Sequence, residues 1–258
     1  MQTITSRQAT FLFTMYYMGG TLLFLPTFLA VPARQDAWIA AILAVAAHFA
    51  LIPIFAALAR MSGSAPLGDL LSAALGPWAG KSAYALLLIV EPFLLTVFSL
   101  NGLGVYASTT ILAETPQAAI NALMLVPVVI GLYSGIRTVG RASEALFPFV
   151  FALLVVLFLS LMPGLRFHRL LPIMENGFGP VATGSVSLLC FPYLEIVTLG
   201  MVTPRLKRPE RLGRILRVSA LISGIAIVVM TAVIVLTVGP GIASRLMFPG
   251  YFVSRTIS

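Results

Sequence analysis

The chain has 258 residues, 59% of them hydrophobic and 9% charged, with a mean hydropathy of +1.03. So much apolar surface excludes a soluble globular protein and implies an all-α polytopic membrane protein; no polar stretch is long enough to fold separately, so residues 1–258 read as one transmembrane domain. Sixteen Lys and Arg against eight Asp and Glu would suit a nucleic-acid partner, but arginines gathered in cytoplasmic loops explain the excess, and no nucleic-acid reading module is present.

Residues 1–6 are polar and lead directly into an apolar run. No small-residue cleavage pattern follows, so this run is a retained first span. With roughly 20 apolar residues needed per crossing, seven segments qualify, at about 8–31, 37–59, 84–112, 118–133, 142–162, 181–202 and 215–238. An eighth begins near Phe248 and stops at Ser258, so the C-terminus reads as a cut. "MSGSAPLGDLLSAALGPWAG", before the third span, fits either a short helix on the membrane surface or an irregular loop. "GPWAGKS" at 76–82 has the wrong glycine spacing for a phosphate loop and follows no strand. "NGLGVYA" at 101–107 reads as close helix packing. The loop "LRFHRLLPIMENGFGP" is rich in turn residues. With the N-terminus inside, eleven Lys and Arg fall on the inner side and four on the outer, which favours that orientation. The run "RLKRPERLGRILR" at 205–217 carries most of the bias. It reads as a topology signal, or additionally as a contact for anionic headgroups or an acidic protein face.

Two spans are interrupted. "MGGTLLFLP" at 18–26 sets two glycines and a proline inside the first, and "LLCFPYLE" at 188–195 sets a proline inside the sixth. Unpaired backbone groups cost several kcal/mol in a bilayer, so such breaks persist only where protein or a cavity covers them. Broken ends present N–H groups on one side and C=O groups on the other, which suits a zwitterionic amino acid. Breaks in spans one and six have the spacing of a five-helix inverted repeat with its site at midmembrane. Ordinary kinking and glycine packing are the plain alternative.

At these residues the chain resembles a known family. "TSRQATFLF", "GGTLLFLP", "RQDAWIA", "LPIMENGFGPVATGS" and "FPYLEIV" are similar to the permease-like B subunit of Ger-type spore germinant receptors, within the amino acid–polyamine–organocation transporter superfamily. "QDAWIA" at 35–40 and "ENGFGP" at 175–180 are the most specific parts. The resemblance implies a leucine-transporter-like inverted-repeat fold, truncated here after about seven of ten spans, with a first repeat near 8–163 and an incomplete second near 177–258. It implies nutrient sensing at the spore inner membrane, together with an A subunit and a C lipoprotein. Gly19, Gly20 and Thr21 match the unwound stretch where superfamily members bind a substrate carboxylate, and Cys190, Phe191 and Glu195 fall at the second break.

An ionisable group in a span is expensive and usually faces a cavity or partner. Glu195 is therefore a candidate for a ligand amine or a proton-sensitive gate, or else a hydrogen-bond acceptor for backbone freed near Pro192. Glu91, before Pro92, is a candidate cavity residue. His48 is expected to be packed and hydrogen-bonded. Thr96, Ser99 and Asn101 are expected to bond between helices. Glu144 is expected to form an interfacial ion pair near Arg137 and Arg141. No catalytic group, metal-ligand spacing or cofactor motif is evident. The leading reading is a sensor of a small ligand, with a secondary transporter and a truncated scaffold as alternatives.

Overall fold

A computed structural model describes residues 3–19, 21–61, 67–193, 195 and 202–255. Helix α1 (Ser6–Met18) starts at a capping box: the Thr5 hydroxyl accepts from the Gln8 N–H, and the Gln8 side chain accepts from the Thr5 N–H. Helix α2 (Thr21–Ala33) follows, so the first predicted span is two helices. A 3-10 turn, Arg34–Asp36, then reverses the chain into α3 (Ala37–Met61). Arg34 adopts φ 49°, a left-handed conformation that helps the reversal. The Tyr17 and His48 rings lie 5.4 Å apart, so the two legs run side by side as a hairpin.

The other spans are α5 (Pro77–Thr110), α6 (Gln117–Ser134), α7 (Ile136–Leu161), α8 (Phe178–Leu188) with its π-helical extension Leu189–Tyr193, and α9 (Leu212–Val238). Among the described residues five helical runs are long and apolar enough to cross a bilayer, with α2 and α3 counted in one run. The predicted segment 181–202 is followed only part way, because residues 194 and 196–201 lie outside the described residues. The ambiguous stretch before the third span contains a helix, α4 (Leu67–Leu75), folded back on α5. A Cβ at Gly80 would lie 2.4 Å from the Leu71 carbonyl, so only glycine permits this approach. Gly76 and Pro77 open α5 as a helix start.

Helix α9 occupies the centre. Its Ile215, Leu216, Ala220, Ile227 and Ile234 are buried with Phe13, Leu25, Leu29, Ala40, Val181 and Leu188. Small residues bring the helices together: a Cβ at Gly184 would sit 3.2 Å from Ala40 Cβ and 3.4 Å from Ala33 Cβ. Ser219 donates from α9 to the Thr10 carbonyl of α1 at 3.0 Å. Helices α5 and α6 and most of α7 lie outside this core, which α7 joins through Leu161, and they expose Phe93, Leu123, Ile130, Phe149 and Leu153, an exterior suited to lipid. The chain continues through α10 (Pro240–Ala243) into α11 (Pro249–Arg255), where the eighth segment was expected to begin. The Thr27 hydroxyl ties α2 to the approach to α11 by donating to the Leu246 carbonyl at 2.6 Å.

Candidate functional site

Regular winding stops at Met18 and resumes at Thr21. Gly19, at φ −47° and ψ −81°, still donates to the Met15 carbonyl at 2.8 Å. The Thr21 hydroxyl donates back to the Tyr17 carbonyl, which partly satisfies the break. Gly20 lies outside the described residues. In the sixth span α8 ends at Leu188 and a π-helical stretch carries Cys190. Phe191 is extended there, at φ −137° and ψ 118°. Pro192 has no N–H to continue the helical ladder. Both interruptions expected from the glycines and prolines are therefore present.

They meet through the residues beside them. Tyr16, on the last turn of α1, donates its hydroxyl to Glu195 Oε2 at 2.5 Å. Tyr17 packs edge-on against Tyr193 at 5.4 Å. The His48 ring of α3 stacks on Tyr193 at 4.2 Å, inclined by 14°. Phe191 leads outward to Phe98 of α5 at 5.9 Å, and Phe98 to Phe24 of α2 at 6.1 Å. Phe24 reaches Phe248 at 5.5 Å, and Tyr106 touches both Phe248 and Tyr251. The two breaks thus lie within one aromatic girdle drawn from spans one, two, three and six and from the entry to the eighth segment.

Of the predicted site residues, Gly19 and Thr21 flank one break, and Phe191 and Glu195 flank the other. Cys190 is exposed, in contrast to the fully buried Tyr193 three residues on. Glu91 belongs to α5, and its side chain lies outside the described residues. Glu195 has a partner that sequence did not suggest, Tyr16, which converts a lone carboxyl into a cross-link between the breaks. His48 is packed as expected but is not hydrogen-bonded: neither ring nitrogen has a partner among the described residues, and the side chain is 0% exposed. Its environment is two tyrosine rings, which offer faces and edges in place of acceptors. Glu144 forms its ion pair with Arg7, at 2.8 Å, because α1 packs on α7. Asn101 does bond between helices, accepting from Gln117 at 3.1 Å, whereas Thr96 bonds back to the Pro92 carbonyl of its own helix.

Tyr16, Tyr17 and Tyr193 were missed. The available signal was their position, immediately beside the helix-breaking glycines and proline. The two most specific motifs also proved to be neighbours. Asp36, 2% exposed, accepts from the Met174 N–H at 3.0 Å, and the Gln35 amide donates to the Pro172 carbonyl at 3.1 Å and toward Glu175 at 3.4 Å. "QDAWIA" therefore pins the loop that leads into "ENGFGP" and hence the start of α8.

A bundle of long apolar helices with two of its spans broken beside each other defines the class: an all-α, multi-pass membrane protein. Residues 3–258 match the sequence model of the spore germination protein family, and the chain belongs to that family. It is 25% identical to spore germination protein KB of Bacillus subtilis (strain 168) over 261 residues, covering 98% of this chain and 68% of that protein. It is 24% identical to spore germination protein XB of Bacillus anthracis over 150 residues, covering 57% of this chain and 41% of that protein. The resemblance carried by the quoted motifs is thereby borne out.

Proposed function

We propose that this chain is the nutrient-sensing, permease-like subunit of a spore germination receptor, and that it binds a small ligand, an amino acid by preference, between its two broken spans. The observation that carries this reading is the Tyr16–Glu195 cross-link, which couples the interruptions in one polar and aromatic enclosure. Backbone groups freed at Gly19–Thr21 would receive the ligand carboxylate and those near Cys190–Phe191 its amine, with Glu195 and Glu91 as further polar contacts. Binding would bias a pre-existing equilibrium between two arrangements of the broken helices, which partner subunits of the A and C types would read. The reading includes a leucine-transporter-like inverted repeat and a cytoplasmic N-terminus in the spore inner membrane. Its support is the family membership and the positions of the breaks in the first and sixth spans.

The test is equilibrium binding of amino acids to the purified full-length receptor. Gly20→Val is expected to weaken binding at least tenfold by filling the carboxylate cradle. Unchanged affinity would remove the proposed site. Uptake of the same amino acids into proteoliposomes separates sensing, which needs no net flux, from transport.

A further inference from the structure

A second polar feature lies at the other end of the first span, away from the breaks. A cleft of about 330 Å³ separates the amino end of α1 from that of α9. Arg7 enters it from α1, Arg211 from the turn that caps α9, and Arg214 from the first turn of α9. No carboxylate lines it: Glu144 engages Arg7 through Nε, while Glu210 beside Arg211 is exposed and outside the cleft. Among the described residues the side chains of Arg211 and Arg214 have no ion-pair partner. A positive-inside signal needs charge on one side only. It does not need three guanidinium groups from segments some two hundred residues apart to converge on one hollow.

The hollow is also held in shape. Ile4, fully buried, bonds to both flanks of Leu206: its N–H donates to the Arg205 carbonyl at 2.9 Å, and its carbonyl accepts from the Lys207 N–H at 3.0 Å. The amino-terminal segment and the basic loop are thereby fixed against each other. The positive ends of two helix dipoles add to the guanidinium charge. Below the arginines the lining becomes apolar, at Ile215 and Val218. Val218, Leu221 and Ile225, at 38%, 52% and 57% exposure, then continue down α9. Positions 214, 218, 221 and 225 share one face at helical spacing. A cationic pocket opening onto an exposed apolar stripe matches an amphiphile with an anionic head and a hydrocarbon tail.

We propose that this cleft is a specific site for an anionic phospholipid, with its phosphate among Arg7, Arg211 and Arg214 and an acyl chain along Val218, Leu221 and Ile225. Guanidinium groups suit phosphate because they donate in a planar fork. A soluble phosphate would need no stripe, and an acidic protein face would not use a stripe directed along the membrane-spanning helix. The occupied cleft would tie the amino end of the broken first span to the membrane surface.

Lipid retention by the full-length protein in detergent, read by native mass spectrometry, tests this. Phosphatidylglycerol should be retained and phosphatidylcholine lost. Removing one arginine, in Arg211→Gln or Arg214→Gln, should weaken retention by roughly fivefold, the effect of about 1 kcal/mol per surface cation. Arg211→Lys should keep most of it, and Arg208→Gln, in the same loop but outside the cleft, should leave it unchanged. Equal loss on Arg208→Gln would reduce the effect to general surface charge and overturn the site. Full displacement by glycerol phosphate would overturn the lipid assignment in favour of soluble phosphate. Loss of a partner subunit in the arginine variants, with phosphatidylglycerol retention intact, would overturn it in favour of a protein contact.

Discussion

At the residue scale, Glu195 joins the two interrupted spans. A carboxyl taken into a bilayer costs a few kcal/mol or more unless it finds a partner, and the Tyr16 hydroxyl provides one at 2.5 Å from the opposite break. Tyr16→Phe keeps the ring and removes the bond, so it should destabilise the protein by about 1 kcal/mol. Thermal unfolding in detergent checks this, and an unchanged midpoint would discount the cross-link. Glycines of the third span make a sharper case. A Cβ at Gly102 would lie 2.5 Å from the Phe24 ring, and one at Gly104 would lie 2.0 Å from Asn121 Oδ1. Gly104→Ala should therefore cost about 1–3 kcal/mol by overpacking. The same substitution at Gly179, where a Cβ meets nothing within 4 Å, should show no such overpacking loss in a parallel unfolding experiment.

At the scale of elements, the reversal between α2 and α3 and the loop before α8 are one unit. Among the described residues, Arg34 and Met174 are the non-glycine residues with positive φ, at 49° and 55°. Both stand at this junction. Asp36 holds the Met174 N–H, and Gln35 holds the Pro172 carbonyl. Asp36→Ala would leave that N–H without its acceptor at a loss of about 1–3 kcal/mol. Hydrogen exchange should then speed up in 171–177, whereas Asp36→Asn, which keeps an acceptor, should behave close to the parent. Equal exchange in both variants would contradict the link. The broken spans follow a similar logic: each break is tolerated because rings and a hydroxyl from neighbouring helices cover it.

For the whole molecule, the proposed orientation, with the N-terminus and the 205–217 loop on the cytoplasmic side, rests on where the arginines fall in the chain. In a background with Cys190 replaced, a cysteine at Arg208 should react with an impermeant thiol reagent only from the inner face of oriented vesicles, and one at Arg245 only from the outer face. The reverse pattern would invert the topology. The family relatives are longer than this chain, which covers 68% of one and 41% of the other.

The helical, membrane-spanning character of the chain, the approximate limits of most spans and the two interruptions were legible in the sequence. Hydropathy over about 20 residues, glycine pairs and prolines act locally, and a bilayer leaves few alternatives for apolar sequence. Only the tertiary structure decided which side chains meet. Tyr16 with Glu195, His48 between two tyrosines, Arg7 with Glu144 rather than an expected near neighbour, and Asp36 with Met174 are all contacts between residues distant in the chain. Such pairs depend on how helices rotate and approach, and that is set by small-residue packing around α9, which no single segment encodes.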